Sequence, residues 1–122
     1  MERFCTLVLI RDLMFRSKID AIAEALGTQV YYGADLASAR SLLDQVRPHL
    51  VLTDLSDPNF PPSEIASLIR EKAPEAILVG FASHVELKAL DLARRVGFRK
   101  VFSRNEFSMK LPNLLADPNS AV

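Results

Sequence analysis

Five short apolar runs alternate strictly with five amphipathic segments along the chain. The apolar runs have the length of strands and lie at 4–10, 28–32, 50–54, 76–81 and 100–102. Continuous Val and Leu runs of this kind are typical of parallel strands that are covered on both faces. The clearest is Leu50–Asp54, an apolar run that ends on a carboxylate. In open α/β sheets the loops after such strand ends carry the sites, so Asp54 is the first candidate for chemistry.

Between the apolar runs, apolar residues recur at the three- and four-residue spacing of a helix face. The predicted helices are 15–26, a segment from 35 or 38 that Pro48 ends, 63–72, 83–96 and a segment after 105. Gly27 and Gly97 stand where helix C-termini favour a positive φ. Strict alternation of strands and helices predicts one doubly wound parallel α/β sheet with helices on both faces.

The starts and ends of three helices carry specific signals. Ser63 is a candidate cap for the third helix, and Ser83 and Glu86 have the spacing of a capping box for the fourth. The fourth helix should bury Val85, Ala89, Leu92, Ala93 and Val96. Pro112 predicts that the last helix is short or broken. We therefore expect one domain over residues 1–116 and a frayed tail over 117–122.

Composition narrows the classes of function. A chain of 122 residues is long enough for one domain with a real core. Its 15 basic and 15 acidic residues cancel, which argues against a nucleic acid or a membrane as the main partner. Cys5 is the only cysteine, so no intrachain disulfide forms. With no signal peptide and no apolar run of membrane-spanning length, we expect a cytoplasmic protein.

The usual motifs of several enzyme classes are missing. The four glycines form neither a G-x-G-x-x-G fingerprint nor a P-loop, so a nucleotide cofactor held in either way is not expected. Asp54 and Asp57 are three residues apart, whereas a phosphatase of the haloacid-dehalogenase type needs acids two apart. Ser83 and His84 are adjacent, and no third group is placed to orient the histidine. We expect that the protein is not an enzyme. At most, it catalyses its own phosphorylation and dephosphorylation at Asp54.

The order of elements, together with Asp54 closing the third strand and Pro58 four residues later, resembles the receiver domain of bacterial response regulators, the CheY-like family. The resemblance spans nearly the whole chain. It implies a flavodoxin-like (βα)5 three-layer sandwich whose parallel sheet has the order 2-1-3-4-5. It also implies that Asp54 accepts a phosphoryl group from a histidine kinase beside a Mg²⁺ ion.

Three positions depart from the pattern of that family. Receivers carry two adjacent acids after the first strand, where this chain has Arg11 and Asp12, so one carboxylate for Mg²⁺ is lost. The Ser or Thr after strand four falls on Ala82, with Ser83 one residue later. The lysine after strand five becomes Arg104, whose planar guanidinium does not replace a compact ammonium. Arg11, Ser83 and Arg104 are thus switch or anion positions of altered chemistry.

Two hypotheses follow for Asp54. In the favoured one, Asp54 pairs with Arg11 or Arg104 and needs no cofactor. The chain is then a stand-alone, degenerate receiver, or pseudo-receiver, that works by protein contact without direct nucleic-acid or membrane binding. In the alternative, Asp54 is phosphorylated by a histidine kinase and shares a weak Mg²⁺ site with Asp12. The sequence leaves the protein partner and the oligomeric state open.

Three further residues carry two interpretations each. Asp12 is either a metal ligand or the cap of the first helix. Asp57 is either a second acid at the edge of the sheet or, with Pro58, part of a turn. His84 is either a ligand or proton carrier at that edge, or a surface residue in the first turn of a helix.

Overall fold

A computed structural model describes residues 4–83 and 85–121, and its centre is a parallel sheet of five strands in the order β2-β1-β3-β4-β5. The strands are β1 (Cys5–Leu9), β2 (Gln29–Tyr32), β3 (Leu50–Asp54), β4 (Ile77–Ala82) and β5 (Lys100–Ser103). The α-helices are α1 (Leu13–Leu26), α2 (Leu36–Leu43), α3 (Pro62–Lys72), α4 (Leu87–Val96) and α5 (Arg104–Ala116). The predicted fold class and strand order are both confirmed.

The sheet separates two apolar cores. Helices α1 and α5 cover one face, and α2, α3 and α4 cover the other. Alternate residues of β3 serve the two sides: Leu50 and Leu52 pack under α1 and α5, whereas Val51 packs with the three other helices. Both faces of the strand are therefore dry, which explains its unbroken apolar sequence.

The carboxyl ends of β1 and β3 lie side by side at the point where the strand order reverses. Leu9 pairs with Thr53 in this parallel ladder, and on the other side of β3 Asp54 pairs with Phe81 of β4. The segments that leave β1 and β3 at this end carry Asp12 and Asp57. The topology thus gathers the candidate residues at one edge, as the sequence predicts.

The helix C-termini predicted at Gly27 and Gly97 are confirmed, whereas the predicted N-termini of two helices are wrong. Gly27 and Gly97 adopt positive φ values of 70° and 116° after α1 and α4. Helix α3 begins at Pro62 with Pro61 in the cap position, so Ser63 lies within the first turn and the predicted serine cap is wrong. Proline has no N–H to satisfy at this position, which removes part of the need for a cap.

The predicted start of α4 is also wrong. The helix begins at Leu87, and Glu86 occupies the cap position without a side-chain cap hydrogen bond. The Glu86 carboxylate accepts a hydrogen bond from Ser56 Oγ at 2.7 Å, and it forms no capping box with Ser83. The buried face is Leu90 and Ala93, while Leu92 is 41% exposed and Val85, before the helix, is 74% exposed.

Helix α5 runs through Pro112 without interruption, so the expected break does not occur. A proline at this position leaves the carbonyl of Ser108, four residues earlier, without its helical N–H donor. Lys18 of α1 replaces that donor: its Nζ lies 2.9 Å from the Ser108 carbonyl oxygen and 2.6 Å from Ser108 Oγ. A neighbouring helix thus satisfies the group that the proline leaves free.

The chain after α5 folds back instead of fraying. Pro118–Ala121 forms a 3-10 turn, and Ser120 Oγ donates to the carbonyl oxygen of Asn113 at 3.2 Å. Ala121 is 1% exposed and packs into the core beneath α1 and α5. The prediction of a frayed tail is therefore wrong for residues 118–121, because two small or apolar side chains are buried there.

Among the described residues, no helix has the length and apolar character needed to cross a membrane.

Candidate functional site

Asp54 ends β3 as a buried carboxylate that is 9% exposed. Its Oδ1 accepts a hydrogen bond from the backbone N–H of Ser56 at 3.0 Å. Among the described residues, no Lys, Arg or His nitrogen lies within 4.0 Å of this carboxylate. The hypothesis that Asp54 is ion-paired with Arg11 or Arg104 is therefore wrong, because each arginine has another acid.

Arg104 is directed at Asp12 instead. Its Nη2 lies 3.1 Å from Asp12 Oδ2, and Arg104 is the first residue of α5. The guanidinium carbon also lies 4.9 Å from the ring centre of Phe15 and 5.6 Å from that of Phe81. Guanidinium groups are attracted to aromatic faces at this range. Two rings and one acid thus fix the guanidinium.

Asp12 is the N-cap of α1, which confirms the structural interpretation of this residue. Its Oδ1 accepts the backbone N–H groups of Met14 at 2.9 Å and Phe15 at 3.3 Å, while Oδ2 meets Arg104. Slight burial acts to raise the pKa of Asp12, but the Phe15 N–H, the Arg104 guanidinium and the Met14 N–H outweigh it and lower that pKa. Both oxygens of this ionised carboxylate already have partners.

Arg11 points at the other acid of the edge, Asp57. Arg11 Nη1 lies 3.6 Å from Asp57 Oδ2, with the arginine side chain about half exposed. Asp57 Oδ1 accepts the backbone N–H and the side-chain amide of Asn59 at 2.9 Å and 3.0 Å. Asp57 is thus a turn residue as well as an acid at the edge, and both of its interpretations describe part of its role.

The environment of Asp54 raises its pKa. Burial is the main cause, and the negative charges of Asp57 and Glu86 add to it. The Ser56 N–H and the Arg104 charge act in the opposite direction but do not compensate. Asp54 is therefore a buried acid whose ionised form is less favourable than in water.

We expect Asp54→Asn to stabilise the fold at neutral pH. The folded pKa of Asp54 lies above its unfolded value, so the native state binds more protons between the two values and stability falls as pH rises through this window. Asparagine keeps an oxygen for the Ser56 N–H and carries no charge. Urea unfolding at pH 7 should show a gain on the order of 1 kcal/mol.

That gain should shrink as the pH falls through the window between the raised pKa of folded Asp54 and the ordinary aspartate pKa, and it should be absent below that window, where the carboxyl is protonated in both states. Glu24→Gln is the matched control, since Glu24 is an exposed acid on α1. A loss of stability for Asp54→Asn at pH 7, or an equal gain for Glu24→Gln, would contradict this account of Asp54.

The end of β4 offers little for phosphoryl chemistry. Ala82 is fully buried, and the half-buried Ser83 accepts the backbone N–H of Val85 on its Oγ at 3.5 Å. The hydroxyl that the sequence offered as a switch position therefore serves its own loop. His84 lies outside the described residues.

The residues at this edge do not fit a Mg²⁺ site. Mg²⁺ requires near-octahedral oxygen ligation, often from one or two carboxylates. Asp12 has no free oxygen, Arg11 stands where a second acid would be needed, and only Asp54 remains without a cation. No group of three His, Cys, Asp or Glu within the described ranges could hold a metal.

Two features of the edge escaped sequence reasoning. The first is Ser56, whose hydroxyl holds Glu86 and whose N–H holds Asp54. The second is the aromatic cluster of Phe15, Phe81 and Phe107, with ring centres 4.3–5.5 Å apart. Phe81, at the end of an apolar run, was a possible signal of the cluster in the sequence. Phe15 and Phe107, which pack against it, come from distant segments.

Comparison with solved structures returns receiver domains and response regulators over nearly the whole chain. The receiver domain of a sensor histidine kinase from Pseudomonas aeruginosa, solved with magnesium in its active-site cleft, is 16% identical with a TM-score of 0.76, covering 93% of this chain and 95% of that one. The chain has the receiver-domain fold. A response regulator from Hahella chejuensis is 15% identical with a TM-score of 0.80 and covers 93% of this chain and 92% of that chain.

A third receiver fold, the chemotaxis response regulator CheY4 of Vibrio cholerae, matches 99% of this chain and all of its own length, with a TM-score of 0.80 and 13% identity. No protein-family model matches the sequence, and no curated protein matches it. Identities this low show the receiver fold and transfer no residue role. The function of this chain therefore has to be inferred from its own contacts.

Proposed function

We propose that this chain is a receiver-like regulatory module that acts through contacts with other proteins and is not switched by Mg²⁺-dependent phosphorylation of Asp54. The observation that carries the proposal is the Arg104–Asp12 ion pair at 3.1 Å. It places a fixed positive charge on the carboxylate that a metal would need. In this proposal Arg104 keeps Asp12 from binding a metal, and this makes the chain a pseudo-receiver.

Freeing Asp12 for a metal would have two structural costs. Asp12 would have to leave Arg104, and its cap hydrogen bonds to Met14 and Phe15 would be weakened or lost. Loss of an N-cap alone costs about 1 kcal/mol. Arg104 would in turn lose the acid that holds it over Phe15 and Phe81. These linked contacts favour the paired state of the edge over a metal-bound one.

The alternative function is a response regulator that a histidine kinase phosphorylates on Asp54. One observation favours it: Asp54 has no ion-pair partner among the described residues, so its carboxylate is not neutralised as the first hypothesis required. In this alternative the unpaired Asp54 carboxylate would act as the nucleophile, whereas Asp12 and Asp57 are paired with arginines. We rank this function second for that reason.

Acetyl phosphate and beryllofluoride separate the two functions. The protein is incubated with either reagent and Mg²⁺, and intact mass and backbone amide shifts are recorded. We expect no added phosphoryl mass and no amide shifts at the edge around Asp54. A stable adduct on the wild-type chain that disappears in Asp54→Asn would overturn the proposal and establish the second function.

The proposal includes a bacterial signalling pathway and a cytoplasmic location. The solved receiver folds described above come from bacteria, and the single Cys5 is buried and free, as suits a reducing compartment. We propose protein partners, with a histidine kinase among the candidates. The residues at this edge of the sheet suit contact with another protein better than catalysis.

A further inference from the structure

A cleft of about 340 Å³ lies at the edge of the sheet where the strands begin, opposite to the edge that carries Asp54. Its walls are Phe4 before β1, the segment 47–49 before β3, the turn 73–76 between α3 and β4, and the 3-10 turn after α5. Pockets for small molecules have volumes of roughly 300–1,000 Å³. The cleft therefore has room for a small ligand.

The last wall comes from a part of the chain that lies outside the five strand–helix units. Pro118 and Asn119 reach the cleft because the 3-10 turn folds back after α5. Pro118 is buried, and the backbone N–H of Asn119 donates to Asp117 Oδ1 at 3.0 Å. The turn is thus fixed, and it adds the Asn119 amide to the lining of the cleft.

His49 is held in one orientation beside the cleft. Its Nδ1 accepts the backbone N–H of Cys5 at 3.0 Å, and its ring meets that of Phe4 edge to face, with 5.4 Å between the ring centres. Because Nδ1 is the acceptor, the neutral ring carries its proton on Nε2. His49 is exposed and lines the cleft, so its Nε2–H is a fixed donor for a ligand.

Two opposite charges line the same cleft without neutralising each other. Arg47 precedes β3, Glu75 lies in the turn before β4, and both side chains are exposed. The structure describes both residues, and no guanidinium nitrogen of Arg47 lies within 4.0 Å of a Glu75 carboxylate oxygen. A ligand that carries both charges can meet both groups at once.

The rest of the lining is apolar and stiff. Its apolar residues include three prolines, and the set with the largest side chains is Phe4, Pro48, Pro74, Ile77 and Pro118. Proline rings fix the backbone φ angle, so the shape of these walls is largely preformed. A preformed apolar wall binds an apolar group at a small cost in conformational entropy.

We propose that this cleft binds a free α-amino acid with an apolar side chain. Arg47 and the Nε2–H of His49 bind the carboxylate, Glu75 binds the ammonium group, and the apolar walls contact the side chain. Glu75 disfavours a simple carboxylic acid, and Arg47 disfavours a simple amine, because like charges repel. The inference goes beyond the proposed function in protein contacts, since it adds a small-molecule ligand at the opposite edge of the sheet.

L-leucine, L-methionine and L-phenylalanine are the probes, each titrated separately into the full chain and followed by backbone amide shifts. We expect saturable shifts with at least one of them, at residues 47–49, 73–77 and 118–119. Three control ligands each lack one group of the amino acid that binds: its carboxamide, its deaminated acid, and glycine. Each should bind about tenfold more weakly or worse.

Arg47→Gln and Glu75→Gln should each weaken binding of the amino acid about tenfold or more, because each removes a charge that meets the ligand. Arg94→Gln and Glu24→Gln are the matched variants, since they make the same changes in charge at exposed residues outside the cleft. Both should bind the amino acid within about twofold of the wild type.

Three results would each overturn the inference. They are the absence of saturable shifts with all three probes at about 10 mM, equally tight binding of the deaminated acid, and equal losses in the cleft variants and their matched controls. None of these measurements involves Mg²⁺ or an adduct at Asp54, so this inference and the proposed function fail separately.

Discussion

Phe81→Ala is expected to lower the free energy of unfolding by about 3–5 kcal/mol. Phe81 is fully buried in β4, and its ring stacks on Phe107 at 4.3 Å and meets Phe15 at 5.0 Å. Truncation removes the apolar contact and leaves a cavity between the sheet, α1 and α5, which close packing does not refill. Urea denaturation followed by far-UV circular dichroism measures the loss.

Met109→Ala serves as the control for this variant, because Met109 is 79% exposed on α5. Its effect on the free energy of unfolding should stay within about 0.5 kcal/mol. A loss below about 1 kcal/mol for Phe81→Ala would mean that the aromatic cluster does not hold the sheet to α1 and α5 in the way described. Because Arg104 lies over Phe81, the variant should also loosen the Arg104–Asp12 pair.

The second large effect is a gain of metal binding. Arg11→Asp combined with Arg104→Lys supplies a second acid after β1 and removes the planar guanidinium from Asp12. The three carboxylates at positions 11, 12 and 54 then match the oxygen ligation that Mg²⁺ prefers. We expect the affinity for Mg²⁺ to rise by at least about tenfold over the wild type, measured by calorimetry and by amide shifts at the edge.

The matched control makes the same change in net charge at a distance. Arg47→Asp with Arg70→Lys adds one acid and exchanges one arginine for lysine on other surfaces. It should leave the affinity for Mg²⁺ within about twofold of the wild type. A similar gain in both variants would show that net charge, and not the geometry of the edge, limits binding. No gain in the first would mean that Asp12 remains committed to capping α1.

Strands β1, β3 and β4 were predictable because their unbroken apolar sequences reflect burial on both faces. Leu50–Asp54 lies between two cores, so every position but the last had to be apolar or small. Gly27 and Gly97 were equally clear, since the left-handed backbone at a helix end strongly favours glycine. The order of the strands followed from the family resemblance and not from these patterns.

Three of the errors share a physical cause, which is that a distant residue supplied or removed a local partner. Pro112 predicts a break in α5, but Lys18 donates to the Ser108 carbonyl that the proline leaves without a donor. The spacing of Ser83 and Glu86 predicts a capping box, but the Glu86 carboxylate accepts a hydrogen bond from Ser56. The same holds for the site, where Arg104 meets an acid 92 positions away. Sequence spacing cannot reveal such pairings, although it placed both residues at one edge of the sheet.

Ser56 carries a thermodynamic consequence because it is bonded on two sides. Its N–H holds Asp54 at 3.0 Å, and its hydroxyl holds Glu86, at the start of α4, at 2.7 Å. A partner that binds the start of α4 and holds it in one position therefore also acts on Ser56, which donates to the Asp54 carboxylate. Linkage makes such coupling reciprocal: the factor by which partner binding changes the proton affinity of Asp54 equals the factor by which protonation changes partner affinity.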